Sequence, residues 1–208
     1  MKIPNRILVT AMLGVVLGGS LPANAALYDF SSSGGGIYTG GGSSLNQVIP
    51  DNTPAGVGYQ INFGATGLSV SDISVTLEIS GGYNGDLYAY ISNGSALVQL
   101  LNPNPAVSTS GFNVTFVEGA DNPIPAGGSG DLSGINYTAY SDLSAFNSTD
   151  PNGSWTIFFA DLSPGDTSTL NGFTLNITTV PEPVNVALGI FALIMFVTIK
   201  VWRTTTPR

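Results

Sequence analysis

A two-residue rhythm constrains this chain more than any other feature. In Ile73-Ser74-Val75-Thr76-Leu77-Glu78-Ile79-Ser80, every odd position is aliphatic and every even one polar. Side chains of an extended chain point alternately to opposite faces, so such a run forms a strand with one dry and one wet face. The same rhythm recurs in Phe112, Val114 and Phe116, in Trp155, Ile157 and Phe159, and in Phe173, Leu175 and Ile177. No stretch of the middle region carries a sustained apolar stripe at helical spacing. Turn chemistry separates the runs: Gly81-Gly82-Tyr83-Asn84-Gly85, Asn93-Gly94, Asn152-Gly153, Pro164-Gly165-Asp166 and Asn171-Gly172. Asn93-Gly94 reads as a two-residue type I′ hairpin turn. Many short strands at this spacing predict an all-β, jelly-roll β-sandwich.

Charge then excludes several functions. The chain has five Lys or Arg and 13 Asp or Glu, with no His and no Cys. Lys2, Arg6, Lys200, Arg203 and Arg208 all lie near the ends, while twelve acids fall between Asp29 and Asp166. A region without cations cannot neutralise phosphates, so nucleic acid and anionic lipid surfaces are excluded as partners of the sandwich. Without His or Cys there is no neutral-pH general base and no thiol, and without Lys no Ser-Lys pair. The surviving catalytic option is a two-carboxylate glycosidase mechanism drawing on acids such as Glu78, Glu118 or Asp161, and no spacing singles out a pair. The chain is therefore read as non-catalytic.

The two ends read as processing signals. Lys2 and Arg6, an apolar run from Ile7 to Gly19 and Ala23-Asn24-Ala25 form a signal peptide over 1–25, cut after Ala25. Residues 26–47 are a Gly/Ser-rich lead-in and 48–179 the sandwich. Residues 180–208 are a tail in which 184–202 is expected to form a single C-terminal transmembrane helix. Lys200 and Arg203 beyond the span would hold the C-terminus inside and the domain outside, anchored in the membrane.

Two resemblances follow from these residues. Val180-Pro181-Glu182-Pro183, an apolar helix and terminal bases resemble the PEP-CTERM sorting tail of bacterial exported proteins, although Lys-Val-Trp-Arg-Thr-Thr-Thr-Pro-Arg replaces the usual arginine cluster. The resemblance implies passage through the bacterial inner membrane, an exosortase-type processing enzyme and delivery to the cell surface or extracellular matrix. Residues 73–101, with Asn84-Gly85-Asp86-Leu87, and residues 152–175, with Asn152-Gly153-Ser154-Trp155-Thr156-Ile157, Asp161, Gly165-Asp166 and Leu170-Asn171-Gly172-Phe173, resemble the P domain (P/Homo B) found beside subtilisin-like proprotein convertases. That resemblance implies a jelly roll; the protease domain usually beside it does not accompany it here.

Three functions fit: a structural or adhesive module, a carbohydrate-binding module for exopolysaccharide, or an accessory domain of a separate subtilisin-like protease. Loop carboxylates Asp86, Asp161, Asp166, Asp131 and Asp142 are candidate Ca²⁺ ligands, against the plainer reading that they cap turns. Tyr83, Tyr88 and Tyr90 are candidate sugar contacts, against the plainer reading of ordinary sheet packing. Trp155 is expected in the core, in phase with Ile157 and Phe159. Six Asn-x-Ser/Thr sequons, at Asn93, Asn113, Asn136, Asn147, Asn152 and Asn176, read as by-products of Asn- and Thr-rich strands.

Overall fold

A computed structural model describes residues 27–31, 37–64, 67–124 and 130–205. The signal-peptide expectation, with Ala23 and Ala25, lies outside the described residues. Eleven described strands are β1 (Leu27–Ser31), β2 (Ile37–Gly42), β3 (Gln47–Ile49), β4 (Val57–Gly64), β5 (Leu68–Gly81), β6 (Leu87–Ser92), β7 (Leu97–Leu101), β8 (Phe112–Val117), β9 (Gly130–Tyr137), β10 (Gly153–Asp161) and β11 (Ser168–Pro181). One helix, α1 (Pro183–Thr205), follows.

The strands make two sheets. One runs β1-β4-β10-β6-β7; the other runs β2-β11-β5-β8-β9, with β3 also paired to β11. Two pairings, β1 with β4 and β8 with β9, are parallel, unlike the antiparallel order of an ideal jelly roll. The alternating runs become the buried strands: β5 presents Ile73, Val75, Leu77 and Ile79 inward, and β11 answers with Leu170, Phe173, Leu175 and Ile177. Aromatic contacts join the sheets across the core. Tyr59 of β4 and Phe159 of β10 lie 5.4 and 6.5 Å from Phe173 of β11. Trp155, 1% exposed, packs on Phe63 and Phe146 and donates its indole N–H to the Pro151 carbonyl at 2.9 Å.

Two local readings change. The Gly/Ser-rich lead-in supplies β1 to one sheet and β2 to the other. At 93–96 the connection between β6 and β7 is a four-residue loop, and only Gly94 has positive φ. Asn93 stays out of the left-handed region because its side-chain oxygen accepts from the N–H groups of Ser95 and Ala96.

The tail needs a larger correction. Among the described residues, no helix is long and apolar enough to cross a membrane. This overturns the expected transmembrane helix at 184–202 and the membrane-anchored, outside-facing placement built on it. The physical reason is length. The uncharged run of 184–199 rises about 24 Å as a helix, short of a hydrocarbon layer about 30 Å thick. Asn185, Gly189 and Thr198 also interrupt it, and the turns beyond carry Lys200, Arg203 and threonines. α1 begins where the Val186 N–H reaches the Glu182 carbonyl, and Leu188, Phe191 and Phe196 are exposed along it.

Candidate functional site

The outer face of the five-stranded sheet gathers three aromatic rings. On β6 the alternation buries Leu87, Ala89 and Ile91, which turns Tyr88 and Tyr90 outward and leaves them half-buried. On the neighbouring β10 it buries Trp155, Ile157 and Phe159 and turns Phe158 outward. Register places Phe158 opposite Tyr90 and Ala160 opposite Tyr88. The rings of Tyr90 and Phe158 stack at 5.0 Å and 21°, while Tyr88 meets both edge-on at 6.1 and 6.4 Å. Small residues flank this half-buried strip. Gly58 pairs with Phe158 on the far side, and a Cβ there would only graze the ring at 3.8 Å. Gly56, at φ +50°, has no room for a side chain: its Cβ would meet the Phe159 carbonyl oxygen at 2.1 Å and the Phe158 ring at 2.6 Å. Gln60, Thr156, Ser92 and Gln99 share this face by register and alternation. They are hydrogen-bonding and uncharged.

Tyr83 does not join the strip. It precedes the 3₁₀ turn Asn84–Asp86, and its hydroxyl donates to the Pro105 carbonyl at 3.3 Å. That turn is fixed from below. Asn84 is buried and its side-chain amide donates to Thr109 and Gly111 at 2.6 and 3.1 Å. Gly85 sits so close to the Asn104 and Val107 carbonyls that a Cβ would approach them to 2.5 and 2.8 Å. The Asn-Gly-Asp sequence therefore anchors the loop and delivers Asp86 to the start of β6.

At that same end of the sheet Asp161 lies within reach of the charges of Asp86 and Asp51. Asp161 closes β10 and is fully buried. Its Oδ1 accepts the Ser163 N–H at 3.1 Å, and its Oδ2 has no hydrogen-bond partner. Its main-chain oxygen accepts from Thr53, and Asp86's main-chain oxygen accepts from Leu162, at 2.8 and 3.0 Å. Asp51 binds the Gly165 N–H with both carboxylate oxygens at 3.2 Å. Burial pushes the Asp161 carboxyl above its ordinary range. The Ser163 N–H opposes that shift, the charges of Asp86 and Asp51 add to it, and the Asn52 N–H opposes it. No group of three or more described acidic side chains is drawn tightly enough to hold a metal ion.

The other predicted carboxylates go elsewhere. Asp166 is exposed in the loop after β10. Asp131 lies on β9, opposite Asn113, in the other sheet. Asp142 caps the turn Leu143–Phe146 by accepting the Ser144 N–H at 2.9 Å, which holds its carboxyl below the usual range. Pro181 and Pro183 are exposed at the junction of β11 and α1, with Glu182 half-buried between them. Sequence reasoning missed two members. Phe158 sits in an apolar run, Ile157-Phe158-Phe159, and only its phase marks it as outward. Asp51 lies 110 residues from Asp161, beyond the reach of any local motif.

No family model matches the chain, and no curated protein matches it. Among solved structures it is similar to a chain in the complex of the Aeromonas sobria serine protease with its chaperone, at 12% identity and a TM-score of 0.44, covering 71% of this chain and 26% of that one. It is also similar to the Aeromonas sobria serine protease crystallised by itself, at 12% identity and a TM-score of 0.41, covering 68% and 26%. The chain thus spans about a quarter of the length of the solved chains it resembles.

Proposed function

We propose that this protein is an exported, non-catalytic β-sandwich of the P/Homo B type, and that it adheres to a neutral extracellular polysaccharide through Tyr88, Tyr90 and Phe158. The carrying observation is the stacked, half-buried aromatic strip on an outer sheet face, set among uncharged amide and hydroxyl side chains. Sugar rings offer flat C–H faces that lie on aromatic rings, while their hydroxyls need hydrogen-bonding neighbours such as Gln60 and Gln99. Cross-strand packing of three large rings stabilises the sheet, and it also leaves flat aromatic area partly exposed to solvent, which is costly in water without a ligand. Charge selects the ligand class: a sandwich rich in acids and free of bases repels acidic polymers.

The non-catalytic reading is supported by where Glu78, Glu118 and Asp161, the acids the sequence offers for a glycosidase pair, fall. Glu78 lines an outer groove with Ser80, Gly111, Asn113 and Asn171, and it is the single carboxylate among that groove's lining residues. Glu118 is held by the Asn147 amide at 2.9 Å, while Asp161 belongs to the opposite sheet. Glycoside cleavage needs two facing carboxyl groups about 5–10 Å apart. The export part of the reading rests on the leader at 1–25. Exposure of Pro181 and Pro183 fits processing there by an exosortase-type enzyme.

An array of neutral and acidic polysaccharides tests the proposal. The expected outcome is saturable binding to a neutral polymer, none to acidic ones, and no release of reducing ends on long incubation. Binding confined to acidic polymers, or to none, would reject it.

A further inference from the structure

At one edge of the sandwich a cleft reaches the core. β7 ends one sheet and β9 ends the other. The chain leaving β9 crosses back, and the N–H groups of Tyr140 and Ser141 donate to the Leu100 and Gln99 carbonyls of β7 at 3.1 and 2.8 Å. This crossing and the loop after β7 line a cleft of about 300 Å³, at the lower end of the range for small-molecule sites. Leu100, Leu101, Phe112 and Ala139, none more than 6% exposed, give it an apolar wall, and Tyr140, 64% exposed, marks its rim. The loop side is held in place. The Asn104 N–H donates to the Gly85 carbonyl at 2.7 Å, and the Val107 N–H to the Asn104 carbonyl at 2.9 Å. Walls fixed in advance spare a ligand the cost of ordering them.

Two observations define what fits. No charged side chain is among the described lining residues, so an ion would leave water without gaining a counter-charge. Asn84, only 6% exposed, also belongs to the lining. Its amide nitrogen donates to Thr109 and Gly111, whereas its Oδ1 has no hydrogen-bond partner. A buried acceptor left unpaired is costly, and a donor brought to it recovers that cost. Phe112 and Tyr140 favour a flat ring beside them. We propose that this cleft binds a small neutral molecule of the aryl alcohol class, apolar over most of its surface, whose hydroxyl donates to Oδ1 of Asn84. The cleft shares no lining residue with the strip of Tyr88, Tyr90 and Phe158, so this site and the polysaccharide reading stand or fall independently.

Isothermal titration of the full chain with α-naphthol tests this. Its methyl ether, which keeps the rings and loses the donor, and the naphthoate anion serve as matched probes. Naphthol should saturate at a single site per chain with a Kd of roughly 0.1–1 mM. The ether and the anion should each bind about 10-fold or more weakly. Ala139→Phe, which fills the cleft, should abolish binding. Tyr140→Ala removes an exposed ring without opening the core and should weaken binding roughly 5-fold. Tyr90→Ala, on the other surface, should bind as the wild type does. Absence of saturable binding by the wild type, or an ether bound as tightly as naphthol, would overturn the proposal. So would a loss in Tyr90→Ala, or an affinity unchanged in Tyr140→Ala even if Ala139→Phe fails to fold.

Discussion

The two outer faces of this sandwich are built by the same alternation and end up chemically opposite. On the six-stranded sheet the outward positions of β5, β8 and β11 include Ser74, Thr76, Asn113, Thr115, Thr174 and Asn176. They bond to one another across strands: Thr76 to Thr115 at 2.9 Å and Asn176 to Ser74 at 3.4 Å. Such short polar side chains satisfy a pleated, water-facing surface at little cost. The outward positions of β6 and β10 instead carry Tyr88, Tyr90 and Phe158, flanked by Gly58 and Ala160. Hydroxyls and amides suffice to finish one outer face, whereas the other is finished by stacked rings. On the proposed reading, that difference separates the surface that closes the domain from the surface that meets a ligand.

The largest effect should come from the core that supports both faces. Trp155→Ala removes the ring on which Phe63 and Phe146 pack, and should cost about 3–5 kcal/mol, read as a fall in Tm and in the denaturant midpoint. Next in size, removing a ring from the aromatic face should weaken polysaccharide binding by roughly 30-fold, the scale of an interface hot spot worth about 2 kcal/mol. The pole beneath that strip adds a pH signature. Because the folded-state pKa of Asp161 is raised, folding takes up a proton there. Asp161's contribution to stability should therefore be full below the ordinary aspartate range and be lost as pH rises from that range toward the raised value; Asp161→Asn should remove this component of the pH dependence. The smallest effect belongs to the hydroxyl face, where Thr76→Ala should cost below about 1 kcal/mol and leave binding unchanged.

Much of this was legible in the sequence, for a physical reason. β5, β10 and β11 are long and buried on one face, so their period survives in the residue order; so does the core position of Trp155. β2 was hidden because glycine carries no period. Gly41 lies so close to β11 that a Cβ would meet the Phe173 carbonyl oxygen at 2.2 Å, so pairing at that edge demands the glycine that obscures the strand. The tail misled because apolar composition reads as a span, whereas spanning also requires uninterrupted length. At the candidate site, Tyr88, Tyr90, Asp86 and Asp161 stood in readable phase or at readable turns. Phe158 and Asp51 did not, since their places depend on strand register and on a contact between distant loops.

Titration of one neutral polysaccharide identified on the array against three chains, wild type, Tyr90→Ala and Thr115→Ala, bears most directly on the contrast between the faces. Affinity should fall roughly 30-fold in Tyr90→Ala and stay at the wild-type value in Thr115→Ala, with both variants melting cooperatively. Equal binding by all three, or a loss confined to Thr115→Ala, would contradict the assignment of recognition to the aromatic face.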